Sequence, residues 1–493
     1  MKRRAHARVA EWLAQRATTR SRSLLATAAE HYERAGDAAH AADFYTRAAE
    51  HMAGTFAHDA ALDYTTRALD LLDDGDTDLR WRLLANRERV LDLNGRREAQ
   101  LADIDALVGI AEAMAPGNDR DLRRADAAWR RADIAHRTGD WETQAREAGH
   151  AQRLAERAGD EPLALRAMQR LAQAIAHGGD AARGRVLAEE GLARARAAGL
   201  PAEESRLLNA ATVCTDLLGD RVAGLAYSLL DLSLNRAVGN QRNEAVALSN
   251  VGMSYLAFGA FDEARRHLLD ALQLNRTLGN RAIEGNTQSM LSELAWREHD
   301  YPLALTRARA ARDISVEVGS RLYEADSLWS LGNAELGLGN FDASTEAFER
   351  SETIAKEIGQ GSQRINALEG QARVALARGN AGHASQLCER LLDAARQSAT
   401  QSQHGAAQGT PARNLFAGAY EHLARLTLCR VWCDTGDARA TGMLDEAHAA
   451  LKTEIDRIHD GTLRDLYVTA IAEHRAILAL WDEQRRDTER PRK

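Results

Sequence analysis

Glycine recurs on a fixed lattice through the middle of this 493-residue chain. Gly139, Gly159, Gly179, Gly199, Gly219, Gly239, Gly259 and Gly279 stand 20 residues apart. His299 interrupts the series, and Gly319, Gly339, Gly359 and Gly379 resume it. Most of these glycines precede Asp, Asn or an apolar residue, as in RTGDW, LLGD, AVGN and TLGN. Glycine tolerates the left-handed conformation that ends a helix, and Asp or Asn after it caps the next one. Each unit is then one helix of about 16 residues, about 24 Å long, plus a tight turn. Turns this short force neighbouring helices antiparallel, so the building block is a helical hairpin. Stacked hairpins need no central core, and length therefore does not convert into a domain count.

The full period is 40. Seven residues before the first turn of each pair stand Ala132, Ala172, Thr212, Gly252, Ser292, Gly332 and Ala372, all small. Five residues after it come Gln144, Gly184, Gly224, Ala264, Ala304, Ser344 and Ala384, small except the first. Small side chains there let two helix axes approach closely. Trp141, Phe261, Tyr301 and Phe341, two residues past the turn, supply bulk for the next layer. Abundant Ala and Arg with only six prolines fit an all-α fold.

The stretch ALSNVGMSYLAFGAFDEARRHLLDALQLNRTLGN resembles the tetratricopeptide repeat. Gly252, Tyr255, the turn Gly259-Ala260-Phe261, Ala264 and Ala271 fall where that repeat has them. Each pair is lengthened from the usual 34 residues to 40, similar to the repeats in the C-terminal sensor regions of bacterial signal-transduction ATPases, cyclases and transcriptional activators. The resemblance implies an α-α superhelix. Residues 119–398 supply seven regular pairs, and residues 1–118 less regular helices broken at Gly36-Asp37, Gly54, Asp73–Asp76 and Asn94-Gly95. The segment LLATAAEHYERAGDAAHAADFYTRAAEHMA resembles the stretch C-terminal to the winged helix in those ATPases, which implies a detached sensor region or a truncated reading frame.

Residues 399–413 are polar and contain Gly405, Gly409 and Pro411, a composition that predicts a flexible linker. Residues 414–484 predict one more pair around Gly436-Asp437 and a single closing helix over the exposed end of the stack. Residues 485–493 predict a frayed tail.

Several functions are excluded or weakened. A net charge of -8, from 64 Lys plus Arg against 72 Asp plus Glu, lacks the basic footprint of a nucleic-acid binder. No apolar run is long enough to span a bilayer, and the N-terminus has no apolar signal region, so a soluble cytoplasmic protein without membrane partners is expected. Four cysteines do not make a disulfide framework. A phosphate-binding loop needs Gly-Lys-Ser/Thr, and none of Lys2, Lys356, Lys452 and Lys493 follows glycine. Cys429 and Cys433, four apart with His422 nearby, suggest either metal ligands or apolar filler, and the lack of a second ligand pair favours filler. His136, His150, His177 and His299 form no useful pair. No catalytic residues, metal or cofactor are expected.

The concave face is the better candidate. In a tetratricopeptide superhelix the first helix of each pair lines it. By that resemblance the stripe is Asp126, Trp129, Asp133 and His136; Arg166, Gln169 and Gln173; Arg206, Asn209 and Asp216; Ser249 and Met253. It continues with Asn286, Ser289, Glu293 and Trp296; Asp326, Trp329 and Asn333; Asn366, Glu369 and Arg373. Asn and Gln can hold a peptide backbone in both directions, and Trp is a typical interface anchor. Alternatively, the three tryptophans fill gaps between helices as core. The expected function is a non-enzymatic scaffold that binds a protein or peptide segment, as the sensor arm of a signalling system whose output domain acts in trans. The competing reading is the C-terminal part of a nucleotide-binding ATPase or cyclase-type regulator.

Overall fold

The structure, a computed structural model, describes residues 2–16, 24–54, 58–73, 75–93, 96–138, 140–403, 416 and 420–489. Among the described residues there are 24 α-helices and no strand. None of these helices is long and apolar enough to cross a membrane. The chain divides into two compact units, residues 1–131 with 153–160 and residues 132–152 with 161–493.

The first unit holds α1 (Lys2–Arg16), α2 (Leu24–Ala35), α3 (Ala38–Gly54), α4 (His58–Asp70), α5 (Thr77–Leu93), α6 (Arg97–Ala113) and the start of α7 (Asn118–Thr138). Tyr45, Leu83 and Leu107 sit at its core. Arg130 pairs with Asp126 at 2.9 Å and with Glu88, and Gln100 donates to Glu88 at 2.6 Å.

The second unit takes the end of α7 and most of α8 (Trp141–Ala158), then a run of helices that are all 17 residues long. They are α9 (Glu161–His177), α10 (Ala181–Ala197), α11 (Pro201–Leu217), α12 (Arg221–Ala237), α13 (Gln241–Ala257) and α14 (Phe261–Thr277). After them come α15 (Arg281–Arg297), α16 (Tyr301–Glu317), α17 (Arg321–Gly337), α18 (Phe341–Glu357) and α19 (Gly361–Ala377). Successive members pack antiparallel, as the short turns require. The architecture is an α-solenoid of the tetratricopeptide type.

The lattice works as turn chemistry dictates. Every lattice glycine from Gly159 to Gly379 has φ between 63° and 116°; Gly139 lies outside the described residues. At Gly259 the closing bonds are Gly259 N–H to the Leu256 carbonyl and Ala260 N–H to the Tyr255 carbonyl, both 3.0 Å. His299 keeps the same turn at φ 64°, with His299 N–H to Trp296 at 3.0 Å and Asp300 N–H to Ala295 at 2.9 Å. Asp180, Asp220, Asn240 and Asp300 then cap the following helices through the N–H groups of Arg183, Ala223, Asn243 and Leu303.

The small positions are close-approach points. A Cβ on Gly332 would stand 2.7 Å from the Phe348 ring. The Ser292 and Ser344 hydroxyls donate to the Ala304 and Gly332 carbonyls, each at 2.7 Å, and so bond the two helices of a hairpin directly. The Tyr301 ring lies against Gly337 of the next hairpin, as its place after the turn suggests.

The C-terminal part departs from expectation in three ways, the last of them that helix runs on through residues 485–489 of the expected frayed tail. Helix α20 (Ala381–Gln403) carries helical structure into residues 399–403 of the expected linker, while 404–413 lie outside the described residues. After α21 (Glu421–Thr435) and α22 (Arg439–Arg457) there are two helices in place of one, α23 (Gly461–Thr469) and α24 (Ala472–Glu489). At the break the Tyr467 carbonyl accepts from His474 Nδ1 at 2.7 Å. This block does not simply close the end of the stack. It reaches back to early hairpins, where Arg457 donates to the Leu218 carbonyl at 2.9 Å and Tyr467 meets the edge of Phe258 at 6.3 Å.

Candidate functional site

Faces of α11, α13, α15, α17 and α19 converge on a cavity of about 930 Å³, and α21 to α24 form its other wall. The solenoid side contributes Asp216, Met253, Asn286, Glu293, Asp326 and Trp329. The C-terminal side contributes Tyr420, His422, Glu454, Tyr467, Glu473 and His474. The inner face of the superhelix is therefore a half-open chamber, walled on its other side by the chain's own C-terminal block.

Polar clasps join the two walls. Arg297, buried, donates to Glu293 at 2.9 Å and to Glu473 at 3.0 Å. The Tyr420 hydroxyl donates to the other oxygen of Glu293 at 2.7 Å. Burial alone would raise the Glu473 carboxyl, but the Arg297 guanidinium holds it down at about 2. Burial likewise disfavours the Arg297 charge, yet Glu473 and Glu293 overcome this and leave it more firmly protonated than usual. A second clasp centres on Glu454, which accepts from Arg221 at 3.4 Å, from His422 at 3.3 Å and from the Tyr467 hydroxyl. These partners outweigh burial and keep Glu454 well below the usual carboxylate range. His474 is pushed down to about 3, first by burial and then by His422, so it is neutral at ordinary pH.

The residues expected on the concave stripe fall into three groups. Glu293, Trp296, Trp329, Asn333, Glu369 and Arg373 come together beside the chamber. Trp296 and Trp329 meet edge to face at 6.1 Å, and Tyr420 stacks on Trp329 at 4.5 Å. Asn333 is 1% and Glu369 2% exposed. Arg373 bonds to both, and Thr427 of α21 donates to Glu369 at 2.6 Å. These two polar residues therefore serve internal contacts. Trp329 is covered like a core residue yet lines the chamber, so the two readings of the tryptophans meet in one side chain. Met253, 38% exposed, and Asn286 line the same chamber.

The second group runs along α7, α9 and α11. Asp133 pairs with Arg170, Arg170 donates to Gln173 at 3.0 Å, Gln169 donates to Gln173 at 2.8 Å, and Gln173 donates to Asn209 at 3.2 Å. Arg166 faces Glu203 at 3.9 Å. Arg206 lies in the field of Arg166 and Arg170, and burial first, then those charges, lower its pKa. Trp129 and Asp126 make the third group, because they belong to the other compact unit.

Sequence reasoning missed Tyr420, Arg221, Glu454 and Glu473. Arg297 stands one helical turn after Glu293, a visible signal, but its partner Glu473 is 176 residues away. Cys429 is buried, and burial pushes its thiol up to about 12, whereas Cys433 is exposed. Among the described residues no cluster of three or more His, Cys, Asp or Glu is arranged to hold a metal ion.

The family model for the tetratricopeptide repeat matches residues 243–317. A Rap protein solved in complex with competence and sporulation factor superposes with a TM-score of 0.53 at 15% identity, over 73% of this chain and 99% of that one. A signal-transduction ATPase with a tetratricopeptide repeat sensor, from Pyrococcus horikoshii, gives 0.45 at 14% identity, over 71% of this chain and 52% of that one. Aspartyl phosphate phosphatase F from Bacillus subtilis gives 0.47 at 10% identity, over 70% and 91%. A search of curated proteins finds no match. Residues 243–317 are thus tetratricopeptide repeats, set in an α-solenoid whose fold this chain shares with the Rap protein.

Proposed function

We propose that this protein is a non-enzymatic sensor module whose chamber takes a short peptide or protein segment and whose C-terminal block responds when the chamber fills. The observation that carries the reading is the chamber itself. Its volume of about 930 Å³ lies within the range of ligand sites, and one wall is a helical block that packs on the solenoid through shared apolar cores and is tied to it by polar clasps. A ligand that prefers one position of that block over another shifts its population, which is all that regulation requires. In the wider setting this is the regulatory arm of a bacterial signal-transduction system, acting in the cytoplasm on an output domain in trans.

The test is hydrogen exchange of residues 421–457 with and without a synthetic pool of random hexapeptides, together with mass spectrometry of the peptides retained. Retained peptides and a changed exchange rate in that block are expected. Retention with unchanged exchange removes the sensor role, and no retention removes the peptide site.

A further inference from the structure

The charges inside the chamber do not cancel. Glu293 and Glu473 are engaged by Arg297, and Glu454 by Arg221. Glu421 pairs with Arg425, and Arg457 bonds to the Leu218 carbonyl. Asp326 on α17 lines the same chamber, and among the described residues no basic side chain forms an ion pair with it. Its side-chain hydrogen bond comes from the neutral Gln363, and the charges that bear on it and on its neighbour Tyr420 include another carboxylate, Glu293. Asn286 and Ser289 of α15 line the chamber too, as does Trp329, one turn along α17, with Tyr420 stacked on it.

We propose that the chamber is a receptor for an organic cation, an ammonium or guanidinium group seated against Asp326 with Asn286 and Ser289 alongside. This rests on the reading that the chamber takes a ligand. Asp326 is half-buried, and a carboxylate partly withdrawn from water without a cation carries a cost that an arriving cation with N–H donors reduces. Aromatic surface nearby favours the same charge. An anionic ligand seated there would meet Asp326 and be repelled. Burial, only partly offset by Gln363 and reinforced by Glu293, pushes Asp326 up to about 7.

Wild type and Asp326→Asn, each confirmed folded by circular dichroism, are compared for retention of defined probes through ultrafiltration. The probes are agmatine, spermidine, a random hexapeptide pool containing Arg and Lys, and the same pool with citrulline and acetyl-lysine in their place. Wild type should retain cationic probes roughly tenfold better than Asp326→Asn, the worth of one charge-assisted hydrogen bond. Retention of agmatine or spermidine alone identifies a free amine as the source, and retention of the cationic pool alone identifies a peptide. If the neutral pool is held as well as the cationic one, or the variant holds cations as well as wild type, the cation assignment fails while the chamber remains a ligand site. If no probe is retained, both fail.

Discussion

Tyr420 lies on Trp329 with ring centroids 4.5 Å apart and planes 12° from parallel, and its hydroxyl reaches Glu293 at 2.7 Å. One residue just ahead of α21 thus occupies an aromatic anchor and an acceptor that the solenoid's inner face would otherwise present to a ligand. The C-terminal block is in this sense an occupant of the face as well as its wall.

Tyr420→Ala removes a stack and a clasp together. It should cost about 3 kcal/mol, by analogy with other large aromatic truncations. Tyr420→Phe keeps the ring and loses the hydrogen bond, for about 1 kcal/mol. Urea unfolding gives both numbers. Hydrogen exchange should show faster opening in residues 421–480 with little change in 243–317, and uniform loosening would mean that the two walls unfold as one.

The turn at Gly259 is tested against its counterpart at Gly239. Both have positive φ, 77° and 68°, so an alanine at either pays about 1–2 kcal/mol of backbone strain. At Gly239 a Cβ meets nothing within 4 Å, whereas at Gly259 it falls 2.9 Å from the Ala470 Cβ and 3.0 Å from the Leu466 carbonyl. Gly259→Ala should therefore be worse by about 1–3 kcal/mol, the usual range for overpacking. Equal melting temperatures for the two variants would show that α23 does not press on this turn.

His299 holds a left-handed conformation that glycine adopts at the other described lattice positions. His299→Gly relieves that strain and gives back part of the gain as chain entropy, leaving a net stabilisation of about 0.5–1 kcal/mol. The lost bond from His299 to the Tyr301 hydroxyl is exposed and offsets little. A differential melt against wild type reads the sign directly.

Asp326 supplies a pH dependence. Its carboxyl is raised in the fold from 3.8 to about 7, so the native state holds the proton more tightly than the unfolded chain does. The resulting destabilisation is absent at pH values below the unfolded pKa, grows as pH rises between the two values, and is complete above about 7. Asp326→Asn should raise the melting temperature more at pH 8 than at pH 5. An equal gain at both would mean that the carboxyl titrates normally.

The sequence by itself determined the helices, their turns and their pairing. Those features rest on interactions within a few residues: glycine at positive φ, an Asp or Asn cap three residues from its N–H partner, and small side chains where two helices of one hairpin touch. The 17-residue helices and the turn at His299 follow from such local rules. It also brought several chamber residues into view, because a helical stripe is periodic. What only the tertiary structure decided is the fate of the inner face. Arg297 finds Glu473, Arg221 finds Glu454 and Tyr420 finds Trp329 across long stretches of chain, and no repeat encodes those pairings. A side chain's periodicity fixes which face it points from, whereas long-range packing fixes what covers that face.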